Sequence, residues 1–389
     1  MGISAKMSRL GTETAFDVLA RANALVAEGM DVINLGIGQP DFPTPDNIVE
    51  AAVIALRGGH HGYTAANGIP ELRETVAEDI AKYRNVTVDP NHIIVVPGGK
   101  VTMAFAIEMF GENGAEIMYP NPGFPIYESM IRYTGATPVP IPLIEENGFS
   151  FDADTVLSKI TDNTRLIILN TPANPTGGVV QATELEKLAS GLKKFPDVYI
   201  LSDEIYSRMI YDGEDHYSML TFPELRNRLI ILDGWSKTYA MTGWRMGWGL
   251  WPEELVPHAQ RLCVNFHSCV NAAAQYAGIE ALRGDQSPVD MMMEAFDARR
   301  SLIHERLNAA PGVSCIMPKG AFYAFPNISG TRLSAKEMQD RLLSEKGVAV
   351  IAGTSFGAYG EGYVRFSYAN SIENIERAMD RFDDFLKGI

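Results

Sequence analysis

The most constraining feature is a series of short, almost wholly apolar runs spaced along the first two thirds of the chain. These are HIIVV (92–96), EIMY (116–119), RLIILN (165–170), VYILSD (198–203), LIILD (229–233) and GWGLW (247–251). Runs of four to six apolar residues bounded by turn formers read as strands buried on both faces. Between them lie helical stretches, as where Ile69, Leu72, Val76, Ile80 and Tyr83 fall at three- and four-residue steps. Strand, turn and helix in repeated succession predict a mainly parallel sheet covered on both sides.

The C-terminal hundred residues read differently. A helical segment at about 289–309 precedes strands at AFYAF, VAVIAG and YVRFSYA. A last amphipathic helix follows, with Ile372, Ile375, Met379, Phe382 and Leu386 on one side. This α+β pattern predicts a smaller second domain over 289–389, after a large domain over 46–288. The segment 1–45 has no strand-rich core and is expected to pack with the smaller domain.

Composition narrows the partners. The 389 residues are 46% hydrophobic and carry a net charge of −15, which argues against nucleic acid or anionic membrane as a partner. No secretory signal core and no apolar run of 18 residues occurs, so a cytoplasmic protein is expected. Three cysteines without CxxC spacing predict neither a disulfide framework nor a zinc site, and His60–His61 and His304–Glu305 lack metal-ligand spacing.

Four segments are candidates for chemistry. In VVPGGKVTM a strand meets a Gly-Gly turn at Gly98–Gly99 and then a helix. Such a helix N-terminus suits a phosphate, although a plain tight turn reads the same way. Asp203 ends an apolar run three residues before Tyr206, either as a buried acid needing a cation or as a helix cap. Asn174 lies in the turn-rich NTPANPTGG, as a fixed donor or an ordinary turn residue. Lastly, GWSKTYAMTGWRMG sets Lys237 and Arg245 eight residues apart among aromatic residues. That spacing spans about 12 Å in a helix and about 26 Å in a strand, too far for one small ligand. A turn at Thr242–Gly243 would fold Arg245 back, and a phosphate-bearing ligand that needs an amine would then account for both cations. Two cations snorkelling from a surface loop is the alternative.

Taken in order, these segments resemble the fold-type I pyridoxal-phosphate enzymes, specifically the class I/II aminotransferases of the aspartate and aromatic type. The resemblance runs from NLGIGQPDFPTP (34–45) to VRFSYA (364–369). It implies a seven-stranded, mainly parallel sheet between helices, pyridoxal 5′-phosphate as cofactor, a homodimer with shared sites, and amino-group exchange between an L-amino acid and a 2-oxo acid. Lys237 resembles the lysine that holds the cofactor's aldehyde and moves the substrate proton, and Asp203 the aspartate beneath the pyridine nitrogen. Tyr206 and Asn174 match the pair on the phenolic oxygen, and Phe124 in NPGFP the ring stacked on the pyridine. Gly99, Lys100, Ser236 and Arg245 would form the phosphate cup, joined by Tyr63 from the partner subunit. Arg365 and Gly38 would bind the substrate α-carboxylate, with Asn174 and Phe124 beside the substrate. Thr12 and Thr14 fall where N-terminal hydroxyls contact the side chains of some substrates in related enzymes; His267 reads either as a neighbour of the substrate side chain across the dimer interface or as a structural histidine. Trp235 is bulkier than the residue usual at its place, which would narrow the pocket. A β-lyase sharing cofactor and fold is the main rival, and a non-catalytic cofactor-binding regulator the remote one. Aspartate, aromatic amino acids and alanine stay open as donors, with 2-oxoglutarate or pyruvate as acceptor.

Overall fold

A computed structural model describes residues 2–12 and 14–389. The strands are β1 (Ile33–Asn34), β2 (Ile93–Val96), β3 (Glu116–Asn121), β4 (Thr137–Pro142), β5 (Thr164–Asn170), β6 (Tyr199–Asp203), β7 (Leu229–Gly234) and β8 (Gly247–Leu250), followed by β9 (Tyr323–Ala324), β10 (Val348–Ala349), β11 (Ile351–Ala352) and β12 (Val364–Ser367). β2 to β8 form one seven-stranded sheet in the order β2-β8-β7-β6-β5-β3-β4. β3, β4, β5, β6 and β7 pair in parallel, while β8 runs antiparallel to both β7 and β2.

The sheet is apolar on both faces, as the unbroken apolar runs predict. Ile94, Val96, Ile117, Leu166, Ile168, Leu201, Ile230 and Leu232 belong to the core on one side. Their neighbours Ile93, Val95, Met118, Ile167, Ile200, Leu229 and Ile231 belong to the core on the other. Each such side chain, fully buried, contributes about 1.5–3 kcal/mol of transfer free energy.

Five helices in the first third matter for the site: α1 (Thr14–Ala27), α2 (Asp46–Arg57), α3 (Pro70–Arg84), α4 (Gly99–Phe110) and α5 (Ile126–Thr134). Leu72, Val76 and Ile80 of α3 are fully buried, whereas Tyr83 lies at the surface, with Lys82 and Arg208 over its ring. The long helix near the C-terminal third spans Ser287–Ala309, two residues earlier than expected, with Pro288 in its first turn. In the last helix, Ile372–Leu386, the predicted apolar side is buried except Ile372, which is the first helical residue and 46% exposed.

VAVIAG does not form one strand. Val348 and Ala349 pair in parallel with β1, while Ile351 and Ala352 pair antiparallel with β12, which continues to β9. Segment 33–36 therefore lies against β10 and β12, with the Ser367 N–H donating to the Leu35 carbonyl at 2.7 Å.

Candidate active site

The carboxyl ends of β5, β6 and β7, the start of α4 and the segment 37–39 enclose a cavity of about 590 Å3. Eleven of the twelve site residues expected from sequence line it: Gly38, Gly99, Lys100, Phe124, Asn174, Asp203, Tyr206, Ser236, Lys237, Arg245 and Arg365. Tyr63 does not; it is 93% exposed on the loop between α2 and α3.

Strand alternation places the acid. Asp203 shares the face of Leu201 and points toward α4 and α5, while the next residue, Glu204, turns to the opposite face. Asp203 Oδ2 accepts from the Tyr127 hydroxyl at 2.6 Å, and Oδ1 from the Ile205 N–H at 3.2 Å. Burial raises the Asp203 carboxyl to about 6, against the pull of these two hydrogen bonds, and nearby Asp233 and Glu204 add to the rise. A buried carboxylate with so few donors suits a cation placed over it. The Tyr206 and Tyr323 hydroxyls meet at 2.8 Å, and burial raises the Tyr206 phenol well above its ordinary value.

The amine and the phosphate corner come from one loop between β7 and β8. Lys237 Nζ donates to the Gly38 carbonyl at 2.6 Å. A 3-10 turn at Thr242–Trp244, followed by left-handed backbone at Arg245 (φ 54°), folds the chain back as the spacing argument required. Arg245 then lies against the α4 N-terminus. A Cβ added at Gly98 (φ 92°) would stand 2.2 Å from Arg245 Nη2, and one added at Gly247 2.2 Å from the Gly99 nitrogen. Only glycine permits this approach of guanidinium, helix end and strand. The corner combines N–H groups, a helix dipole and a cation.

At the other end Arg365, on β12, donates to Asn174 Oδ1 at 2.8 Å and to the Gly36 carbonyl at 2.5 Å. The guanidinium lies over the rings of Tyr323 (4.5 Å) and Phe356 (4.7 Å). Phe124 packs edge-on against Tyr127, and Lys100 Nζ lies 5.1 Å from the Phe124 ring centre.

Several expectations are redirected. Trp235 is buried away from the cavity, its indole N–H donating to the Gly278 carbonyl at 3.0 Å, so its bulk fills the space beneath the helix Ala272–Arg283 and does not narrow the pocket. Thr12 borders a smaller cavity behind Phe124, and the Thr14 hydroxyl is buried at the start of α1; neither lines the main cavity, where Ala15, Phe16 and Leu19 of α1 do. His267 caps the helix Val256–Phe266 and stacks on Phe105, also outside the cavity. His61 contacts the Leu56 carbonyl and His60 the Tyr276 ring. No cluster of three or more metal-ligating side chains occurs among the described residues.

Sequence reasoning missed Tyr127, Asn170 and Tyr323. Asn170 holds the site loop by accepting from the Asn174 N–H and donating to the Asp203 carbonyl. Their signals were faint: Tyr127 stands one helical step from Phe124, and Tyr323 alternates within AFYAF.

Comparison with known proteins agrees with this geometry. The family described as aminotransferase class I and II matches residues 30–382. An aspartate aminotransferase of Pyrococcus horikoshii is 43% identical over 361 residues, 92% of this chain and 91% of that protein. Aromatic-amino-acid aminotransferase 2 of Thermococcus litoralis is 40% identical over 93% of this chain and 94% of its own length. The structure of an alanine aminotransferase from Pyrococcus furiosus superposes with a TM-score of 0.92 at 34% identity, with each chain covered completely. With that match across nearly its whole length, and a cavity joining Lys237, Asp203 and Arg365, the chain belongs to the class I and II aminotransferases, pyridoxal-phosphate-dependent enzymes that exchange amino groups between amino acids and 2-oxo acids.

Proposed function

We propose that the cavity binds pyridoxal 5′-phosphate and that the residues lining it carry the roles the resemblance implies. The observation that carries this reading is the convergence, in one cavity, of an amine, a buried acid, a helix-end cradle with a guanidinium, and a second guanidinium. The cofactor supplies the electron sink for the pair left when an amino acid loses its α-proton. With the cofactor bound, Lys237 Nζ would hold its aldehyde carbon and, as a free amine, would take up and return the substrate's α-proton. Asp203 would keep a positive charge on the ring nitrogen, Tyr206 and Asn174 would hydrogen-bond the phenolic oxygen, and Phe124 would cover the ring. The N–H groups of Gly99 and Lys100, the Ser236 hydroxyl and Arg245 would hold the phosphate. Arg365, Gly38 and Asn174 hold the substrate α-carboxylate.

A homodimer in which Tyr63 reaches the partner's phosphate is part of the reading. So are a large domain over 46–288, a small one over 289–389, and a segment 1–45 packed with the latter. A cytoplasmic location accords with three unpaired cysteines. Donor choice among aspartate, aromatic amino acids and alanine is addressed by adding each to the cofactor-loaded protein and following the loss of the cofactor's aldehyde-form absorbance. A transaminase converts once and stops until an oxo acid is added; a lyase releases oxo acid and ammonia repeatedly. No spectral change with any α-amino acid would refute the reading. Lys237→Ala is expected to retain the cofactor without covalent attachment and to lose turnover by about four orders of magnitude.

A further inference from the structure

On the face of the sheet opposite the cavity, directly behind Asp203, lies a sealed cluster of charge that the reaction does not touch. Arg84, the last residue of α3, donates from Nε to Glu204 Oε2 at 2.8 Å and from Nη2 to Asp233 Oδ2 at 2.5 Å. All three side chains are nearly inaccessible, and the guanidinium stands 5.6 Å from the Trp248 ring centre. Glu204 also accepts from Ser202 and Ser218, and His216 Nε2 lies 3.1 Å from it. Asp233 also accepts from Ser207 and from the Gly234 N–H. Asp79 and Arg208 complete the surroundings, 3.9 Å apart and formally cancelling.

Two features make this more than a structural rivet. Glu204 is the residue after Asp203, just past the end of β6, and Asp233 lies four residues before Lys237 near the end of β7, so the cluster backs both reacting groups. One guanidinium faces two carboxylates, so the two ion pairs leave one formal negative charge. Such a charge acts through a thin layer of low-dielectric core, where screening is weak.

We propose that Glu204 and Asp233, held by Arg84, are positioning residues that act through Asp203: their excess negative charge favours a positive charge on the ring nitrogen of the bound cofactor. This rests on the reading that Asp203 faces that nitrogen. In support, Asp233 and Glu204 both raise the affinity of Asp203 for a proton. Burial raises Asp233 as well, whereas for Glu204 burial is outweighed by Arg84, His216 and Ser218 together, which bring it to about 2.

The test compares two probes on the full-length chain freed of cofactor. One is pyridoxal phosphate; the other is its 1-deaza analogue, which keeps aldehyde, phenol and phosphate but has carbon in place of the ring nitrogen. The readout is the ratio of their dissociation constants, measured by calorimetry. Wild type is expected to prefer the natural cofactor. Asp233→Asn is expected to reduce that preference about fivefold or more, since one buried charge at this range is worth of the order of a pK unit. Glu204→Gln makes the same prediction and stands in if the first variant does not fold. Arg84→Lys keeps the charge but loses the fork, and is expected to hold the ratio within about twofold even if thermal stability falls.

A purely structural cluster would weaken both probes equally; an unchanged ratio in the carboxylate variants overturns the proposal. A ratio lost as fully in Arg84→Lys overturns it too. A wild type indifferent to the ring nitrogen would instead overturn the placement of Asp203, and this proposal with it.

Discussion

Arg365 is gripped by two oxygens, Asn174 Oδ1 and the Gly36 carbonyl, and flanked by the rings of Tyr323 and Phe356, so its plane is set by the fold. A planar fork matched to a carboxylate is not reproduced by an ammonium. Arg365→Lys should therefore lower kcat/KM for α-amino acids by about 10- to 100-fold, with most of the loss in KM, as steady-state kinetics would register. Asp203 yields a prediction about stability. Its carboxyl is raised to about 6 in the fold from the ordinary 3.8, so the folded chain binds the proton more tightly than the unfolded one. The stabilisation this gives is complete below about pH 4 and is lost as pH rises through 6. In cofactor-depleted protein, Asp203→Asn should thus raise Tm relative to wild type more at pH 8 than at pH 4, by the equivalent of up to about 3 kcal/mol. A difference that shrank with rising pH would contradict the sign.

At the scale of elements, the apolar runs were readable because strands buried on both faces have no polar side to confuse them. β4 was not. Its residues Pro138, Pro140 and Pro142 argue against a strand, yet β4 pairs only with β3 at the sheet edge. Prolines at alternate positions there turn their missing N–H groups to one side, where no partner needs them. The break of VAVIAG into two strands and the exposure of Ile372 likewise depend on neighbours remote in sequence. The same limit explains Tyr127 and Tyr323: each matters through a hydroxyl contact, to Asp203 and Tyr206, spanning 76 and 117 residues. Lys237, Asp203 and Arg365 were legible through the resemblance of the ordered motifs that carry them; taken singly, Asp203 read equally as a helix cap and Lys237 as a surface cation. The Gly98 turn supplies an element-scale prediction. With φ at 92° and Arg245 at its back, Gly98→Ala should cost about 1–3 kcal/mol of stability and weaken pyridoxal phosphate binding at least tenfold. Thermal melts and cofactor titration check the two effects separately.

For the whole molecule, the exposed loop bearing Tyr63 is the telling part. An aromatic side chain 93% exposed, near exposed Ile54 and Leu56 of α2, accords with a surface that a second copy covers. Sedimentation at micromolar concentration should give twice the 42.7 kDa of one chain. Tyr63→Phe should leave the dimer intact and loosen cofactor binding about three- to tenfold, the worth of one hydrogen bond to a charged group. A monomer with full cofactor affinity would refute the shared site.

The reversed direction of β8 has a consequence for how the chain can be cut. Because β8 returns alongside β7, one uninterrupted stretch from Gly234 to Gly247 carries Ser236, Lys237 and Arg245, and its contour length would gauge the molecule proposed to bind there. A circular permutant opened at Gly213, a surface turn with nothing within 4 Å of an added Cβ, should fold and hold the cofactor. One opened at Gly243, just as roomy, should fold and yet let go of it, because the gauge would have lost its fixed length.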